Sequence, residues 1–114
     1  MQFKNKKVLI YGAGALSCTL METCDISKLN VVGFCDNKFQ PNSTELFYSY
    51  KTFSPSELPD IDFDVILINL YRPEQVFEKI KYELLINSKN EDKEIHNLIE
   101  FNLWSILKEI FFMD

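Results

Sequence analysis

Arginine and histidine are nearly missing from this chain: its 114 residues hold one of each, Arg72 and His96. The remaining basic residues are lysines spread along the sequence without a cluster, and the formal net charge is −5. A nucleic-acid binder carries a basic stripe, so no nucleic-acid partner is expected. Cysteine is scarce and unpaired in pattern. Cys18, Cys24 and Cys35 make an odd set with no C-x-x-C spacing, and a four-ligand zinc site would have to gather all three with the distant His96. The expectation is buried, reduced thiols and no metal. No apolar run approaches the roughly 18 residues that span a bilayer. The short run Val8–Tyr11 ends at Gly12 and lacks the core of a signal peptide. The chain therefore reads as cytoplasmic. Also missing are a G-x-x-x-x-G-K-[ST] phosphate loop, a G-x-S-x-G elbow and a tyrosine followed four residues later by lysine, so three common kinds of site are excluded. His96, the best general base by residue type, has no identifiable partner and reads as a surface histidine.

With 46% hydrophobic and 25% charged residues, the composition is that of a folded globular protein. Its length fits a single domain, residues 1–114. Three stretches are apolar throughout rather than alternating: Lys7–Tyr11, Asn30–Cys35 and Asp64–Asn69. Strands buried on both faces look like this, and they belong to parallel sheets. Between them, Ala15, Leu16, Thr19, Leu20 and Thr23 recur at helical spacing as far as Cys24. Asn37–Ser49 reads as loop and Tyr50–Phe53 as a short strand. Ser54-Pro55-Ser56-Glu57 has the form of a helix start, with a serine cap, proline first and glutamate third, and Pro59-Asp60 should stop it. Pro73 opens a helix with Val76, Phe77, Ile80, Leu84 and Leu85 on one face, and Asn87–Lys93 reads as exposed. Residues 94–99 predict a final strand and residues 101–112 a helix. Alternation of this kind predicts a small doubly wound α/β domain, a parallel sheet with helices on both faces.

The most informative segment is Gly12-Ala13-Gly14-Ala15-Leu16-Ser17, set between a buried strand and a helix. It is a G-x-G-x-x-S form of the dinucleotide fingerprint. Gly12 permits the tight turn, Gly14 lets a pyrophosphate approach the backbone, and the helix N-terminus supplies unpaired N–H groups. Ser17 stands where a glycine or alanine is usual. Asp36 ends the second strand 22 residues after Gly14, where a carboxylate would accept from a ribose 2′-hydroxyl and repel a 2′-phosphate. NAD is therefore expected ahead of NADP, although Lys38 lies close by. Ligands of open parallel sheets sit outside the carboxyl ends of strands, so Asn37, Asn69, Tyr71 and Arg72 are expected to face the same crevice. Arg72 there could hold a phosphate or carboxylate bidentately. The candidate ligand-binding set is Gly12, Ala13, Gly14, Ala15, Leu16, Asp36, Asn37, Asn69 and Arg72.

Four segments in series carry a resemblance: Lys7–Gly14, Val31-Val32-Gly33-Phe34-Cys35-Asp36-Asn37, Thr52–Leu58 and Asp64–Ile68. Together they resemble the Rossmann-like nucleotide-binding domain of bacterial polysaccharide and nucleotide-sugar enzymes, over residues 6–86. That domain precedes the catalytic part of nucleotide-sugar epimerases/dehydratases and forms the N-terminal part of sialic-acid-type sugar acetyltransferases. The resemblance implies that Gly12, Gly14 and Asp36 contact NAD(P) in the first case and a UDP-sugar-type substrate in the second. A second α/β domain and a hexapeptide β-helix, the catalytic parts of the two groups, are absent from the sequence. The expectation is thus a nucleotide-binding domain, most of all for NAD, that does not catalyse alone; the alternatives are a UDP-sugar-binding domain of the acetyltransferase type and a non-binding protein-interaction module on the same scaffold. The same turn can also cradle the pyrophosphate of coenzyme A. Trp104, Phe111 and Phe112 do not all fit the helical face of Leu103, Ile106, Leu107 and Ile110, so a homodimer or docking onto a separate catalytic domain is expected through this segment, the alternative being that Trp104 and Phe112 fold back onto the 37–50 loop.

Overall fold

The structure, a computed structural model, describes residues 3, 5–85 and 92–98. The apolar runs become the middle of one sheet. Strand β1 is Lys7–Tyr11, β2 Asn30–Cys35, β3 Leu46–Phe47, β4 Tyr50–Phe53, β5 Val65–Ile68 and β6 Glu94–Asn97. Helix α1 spans Ala15–Thr23 and α2 Glu74–Leu85, with 3₁₀ turns at Ile26–Lys28 and Pro55–Asp60. The six strands lie in the order β3-β4-β2-β1-β5-β6. All neighbouring pairs are parallel except β3–β4, a hairpin on one edge.

Each central strand feeds two cores, because side chains alternate across a strand. Val8, Ile10, Val65 and Leu67 pack with Leu20 of α1, with Cys24 just after it and with Phe34 on one face. Leu9, Tyr11, Ile66 and Ile68 pack with Ile80 and Leu84 of α2 and with Phe63 on the other. That two-sided burial is why the stretches Val8–Tyr11 and Val65–Ile68 carry apolar residues on both faces. The pairing of β1 with β2 shifts between Val8 and Leu9: Val8 faces Val31 and Leu9 faces Gly33. Val32 is the extra residue, and it lets Val31 and Phe34 share a core although they are three apart. Gly33 is required at the same place, since a Cβ there would stand 2.5 Å from the Lys51 carbonyl oxygen and 2.6 Å from the Phe53 ring.

Several elements differ from the sequence reading. Leu46–Phe47 forms a strand inside the expected 37–49 loop. The serine-capped segment is a 3₁₀ turn that takes in Pro59 and Asp60, with the full reciprocal cap between Ser54 and Glu57. In α1 the inward residues are Ser17 and Leu20, with Cys24 buried just past its end, while Ala15 and Thr19 face outward. The Thr19 and Thr23 hydroxyls are turned back onto the carbonyls four residues earlier, which satisfies them without burial. Strand β6 stops at Asn97, two residues short of the expected end. The 101–112 helix and the Trp104–Phe112 segment, on which the association expectation depends, lie outside the described residues, as does most of Asn87–Lys93. Among the described residues, no helix is long and apolar enough to cross a membrane.

Candidate functional site

Parallel pairing puts the ends of β1, β2, β4 and β5 on one edge of the sheet, and the backbone bonds continue past the strands. Gly12 N–H donates to the Cys35 carbonyl at 2.8 Å, Asn69 N–H to Tyr11 at 2.9 Å and Asp36 N–H to Phe53 at 3.2 Å. Successive strands run outward from β1 to β2 and β4, then restart on its other side with β5 and β6. The direction reverses between β1 and β5, and the glycine turn emerges at that reversal, where open α/β sheets form their crevice.

The two glycines of the turn face different surroundings. Gly12 has φ +117°, and a Cβ on it would lie 2.6 Å from the Asn69 carbonyl oxygen. Neither the conformation nor the space admits a side chain. Gly14 is exposed, has φ −100°, and a Cβ on it would meet nothing within 4 Å. The protein itself does not demand glycine there. Gly14 is also the N-cap of α1: its carbonyl accepts from Cys18 N–H at 3.0 Å, and it has no side chain with which to cap the first turn. The leading N–H groups of the helix, with their partial positive charge, open onto the space above Gly14.

Ser17 is wholly buried and its Oγ donates to the Gly12 carbonyl at 2.6 Å. The same Oγ accepts from Asn69 Nδ2 at 3.2 Å. The unusual third residue of the fingerprint therefore ties together the turn, α1 and the end of β5. Asn69, expected to face a ligand, is 2% exposed, with its side-chain amide under the turn. Asn69, Leu70 and Tyr71 line a recess of about 100 Å³ with Gly14, Ala15 and Leu16, too small to enclose a nucleotide. A ligand on the turn would lie across the open edge.

Asp36 and Lys38 grip the peptide groups on either side of Ala13. One carboxylate oxygen of Asp36 accepts from Ala13 N–H at 2.8 Å, and the other accepts from Lys38 N–H at 3.1 Å. Lys38 Nζ donates to the Ala13 carbonyl at 2.7 Å. Asn37 is exposed beside them. Arg72 is also exposed, in the loop between β5 and α2, and makes no hydrogen bond or ion pair with any described residue. The structure thus brings Gly12–Leu16, Asp36 and Asn37 to one place, and seats Asn69 beneath it. Sequence reasoning missed the Ser17–Asn69 bond and the grip of Lys38, since no spacing rule pairs residue 17 with 69 or 13 with 38.

The groups under the turn are inert. Burial, helped by the charge of Asp36, pushes the Cys35 thiol up to about 12. Burial likewise raises Tyr11 to about 12, with Cys35 and Asp36 adding to the effect. Both stay protonated, and neither offers a nucleophile or base. Cys24 is buried as expected and Cys18 is half-buried. His96, expected at the surface, is half-buried in β6 with its ring 5.8 Å from that of Phe3. Among the described residues, no group of three or more histidine, cysteine or acidic residues could hold a metal.

A larger groove of about 600 Å³ runs between Val32, Lys51 and Phe53 and the 3₁₀ turn. Three of its polar groups are engaged within the fold: Glu57 accepts from Ser54 N–H, Ser56 meets the Ser54 hydroxyl, and Asp62 pairs with Lys7; Asn42, Lys51 and Asp60 also line it. Volume alone favours this groove. Free backbone donors favour the turn.

A family model described as C2185-like, N-terminal, matches residues 4–95. The chain belongs to the C2185-like N-terminal family. No curated protein matches it. The match to the C2185-like family runs from just before β1 into β6. It therefore takes in both helices, the glycine turn, Asp36 and Lys38.

Proposed function

We propose that the chain is a Rossmann-type, doubly wound nucleotide-binding domain. It takes a pyrophosphate-bearing nucleotide on the Gly12–Ser17 turn and does not catalyse a reaction by itself. The observation that carries this reading is the contrast between the glycines. Gly12 is glycine for the fold, whereas the space a side chain would fill at Gly14 is left open in front of an uncapped helix N-terminus. A pyrophosphate needs that space and those donors. The reversal of strand order at the same point adds support. NAD and its phosphorylated relatives come first as ligands, with a UDP-sugar next. The setting is nucleotide-sugar or surface-polysaccharide chemistry in the cytoplasm, and the partner is a second copy or a separate catalytic domain.

Ligand-observed NMR with NAD, NADP, a UDP-sugar and coenzyme A, run on the native chain and on Gly14→Val, tests the reading. Saturation transfer to at least one nucleotide is expected from the native chain. It should vanish in Gly14→Val, which is expected to stay folded: the added Cβ meets no protein atom within 4 Å, and the poorer N-cap residue costs about 1 kcal/mol. Binding that survives in the folded variant would place the ligand elsewhere.

A further inference from the structure

The second-strand carboxylate, from sequence alone, points to an unphosphorylated ribose. The contacts around it point the other way. Each oxygen of Asp36 already accepts a backbone N–H, from Ala13 and from Lys38, so its charge is partly answered within the fold. Lys38 is differently placed. Its ammonium gives one hydrogen bond to the Ala13 carbonyl on the rim of the turn. It is held 5.4 Å from the centre of the Phe39 ring and 5.5 Å from that of Phe47. No carboxylate of the described residues forms an ion pair with it; Lys6–Glu94 and Lys7–Asp62 are paired by residues at the opposite edge of the sheet. In a chain of net charge −5, an exposed lysine placed by a carbonyl and two rings and without a counter-ion among the described residues is set to receive an anion. An ammonium has three donors, and two remain for a ligand. Arg72, the cation expected from the sequence, has no comparable hold.

We propose that Lys38 makes this site select nucleotides whose adenosine ribose carries a phosphate monoester, at the 2′ position as in NADP or the 3′ position as in coenzyme A, over unphosphorylated NAD. The inference rests on the nucleotide reading above and adds the ligand class and the residue that sets it. The phosphate replaces water on the Lys38 ammonium while the pyrophosphate lies on the turn, and no covalent step is involved.

Calorimetric titration of NAD, NADP and coenzyme A into the native chain, Lys38→Met and Lys38→Arg tests it. One charge-assisted contact predicts that NADP or coenzyme A binds about ten- to a hundredfold more tightly than NAD. Lys38→Met should bring that ratio close to one, and Lys38→Arg should keep most of it. Which of the two phosphorylated ligands shows the larger ratio identifies the ribose position. Equal or tighter binding of NAD to the native chain overturns the inference and leaves the nucleotide reading standing. So does a Lys38→Met variant that weakens all three ligands alike. If none of the three binds any of the proteins, the nucleotide reading fails and this inference with it.

Discussion

Gly12, Gly14 and Ser17 sit within six residues, and each is held for a different reason. The sequence pattern identifies the turn and makes the two glycines look alike; only the surroundings separate a glycine that the Asn69 carbonyl requires from one the protein could replace. Ser17 reads as an imperfect match in a motif that wants a still smaller residue. In the fold it is the buried hydroxyl that bonds the Gly12 carbonyl and receives the Asn69 amide. Its partner is 52 residues away, and for that reason no local pattern could show the pair. Ser17→Ala would leave Asn69 Nδ2 buried without that acceptor, so urea denaturation should report a loss of about 1–3 kcal/mol. Adding Asn69→Ala to Ser17→Ala should cost much less than the two single changes summed, because they remove one shared bond. Full additivity would mean that the bond does not join the turn to β5.

Local chemistry made some elements legible and hid others. The Ser54–Glu57 cap was readable because both of its bonds close within four residues. The hairpin of β3 and β4 was not. Its two-residue turn is Tyr48-Ser49, with φ +49° and +72°, where such hairpins usually show asparagine and glycine. Without those residues the segment reads as loop. The hairpin is held by the Phe47 ring packing 4.7 Å from Phe34 and 5.0 Å from Tyr48, and by Tyr48 donating to Glu22 on α1 at 3.3 Å. These are contacts between elements, which patterning does not report. Ser49→Gly removes a Cβ from a left-handed position and should stabilise the chain by about 0.5–1 kcal/mol, read as a higher denaturation midpoint. Ser49→Val should lower it. The bulge at Val32 was equally hidden, since its only trace in the sequence is an apolar run that never alternates.

For the molecule as a whole, the alternation of apolar runs with helical stretches predicted the sheet, its parallel core and the edge where the loops gather. Strand order was less legible, because chain order does not say on which side of β1 each later strand pairs. The two-sided core has a consequence for pH. Tyr11 and Cys35, packed together on the α2 face, are raised from 10.0 and 9.0 to about 12. Below about pH 8 both are neutral in the folded and unfolded chain, and their contribution to stability is fully present. As pH rises from about 8 to about 12, the unfolded chain releases these protons first and the contribution is lost. The urea midpoint should therefore fall across that interval, with a shallower start to the fall in Cys35→Ala. A midpoint that holds steady to pH 12 would contradict the burial. The central claim, that ligand meets the chain at the glycine turn, is tested most directly by following backbone amide resonances while NADP is added. The account predicts shifts at Gly12–Ser17 and Asp36–Lys38, with Val32, Lys51, Phe53 and Ile61 of the larger groove unmoved. Shifts confined to those groove residues, or none at all, would contradict it.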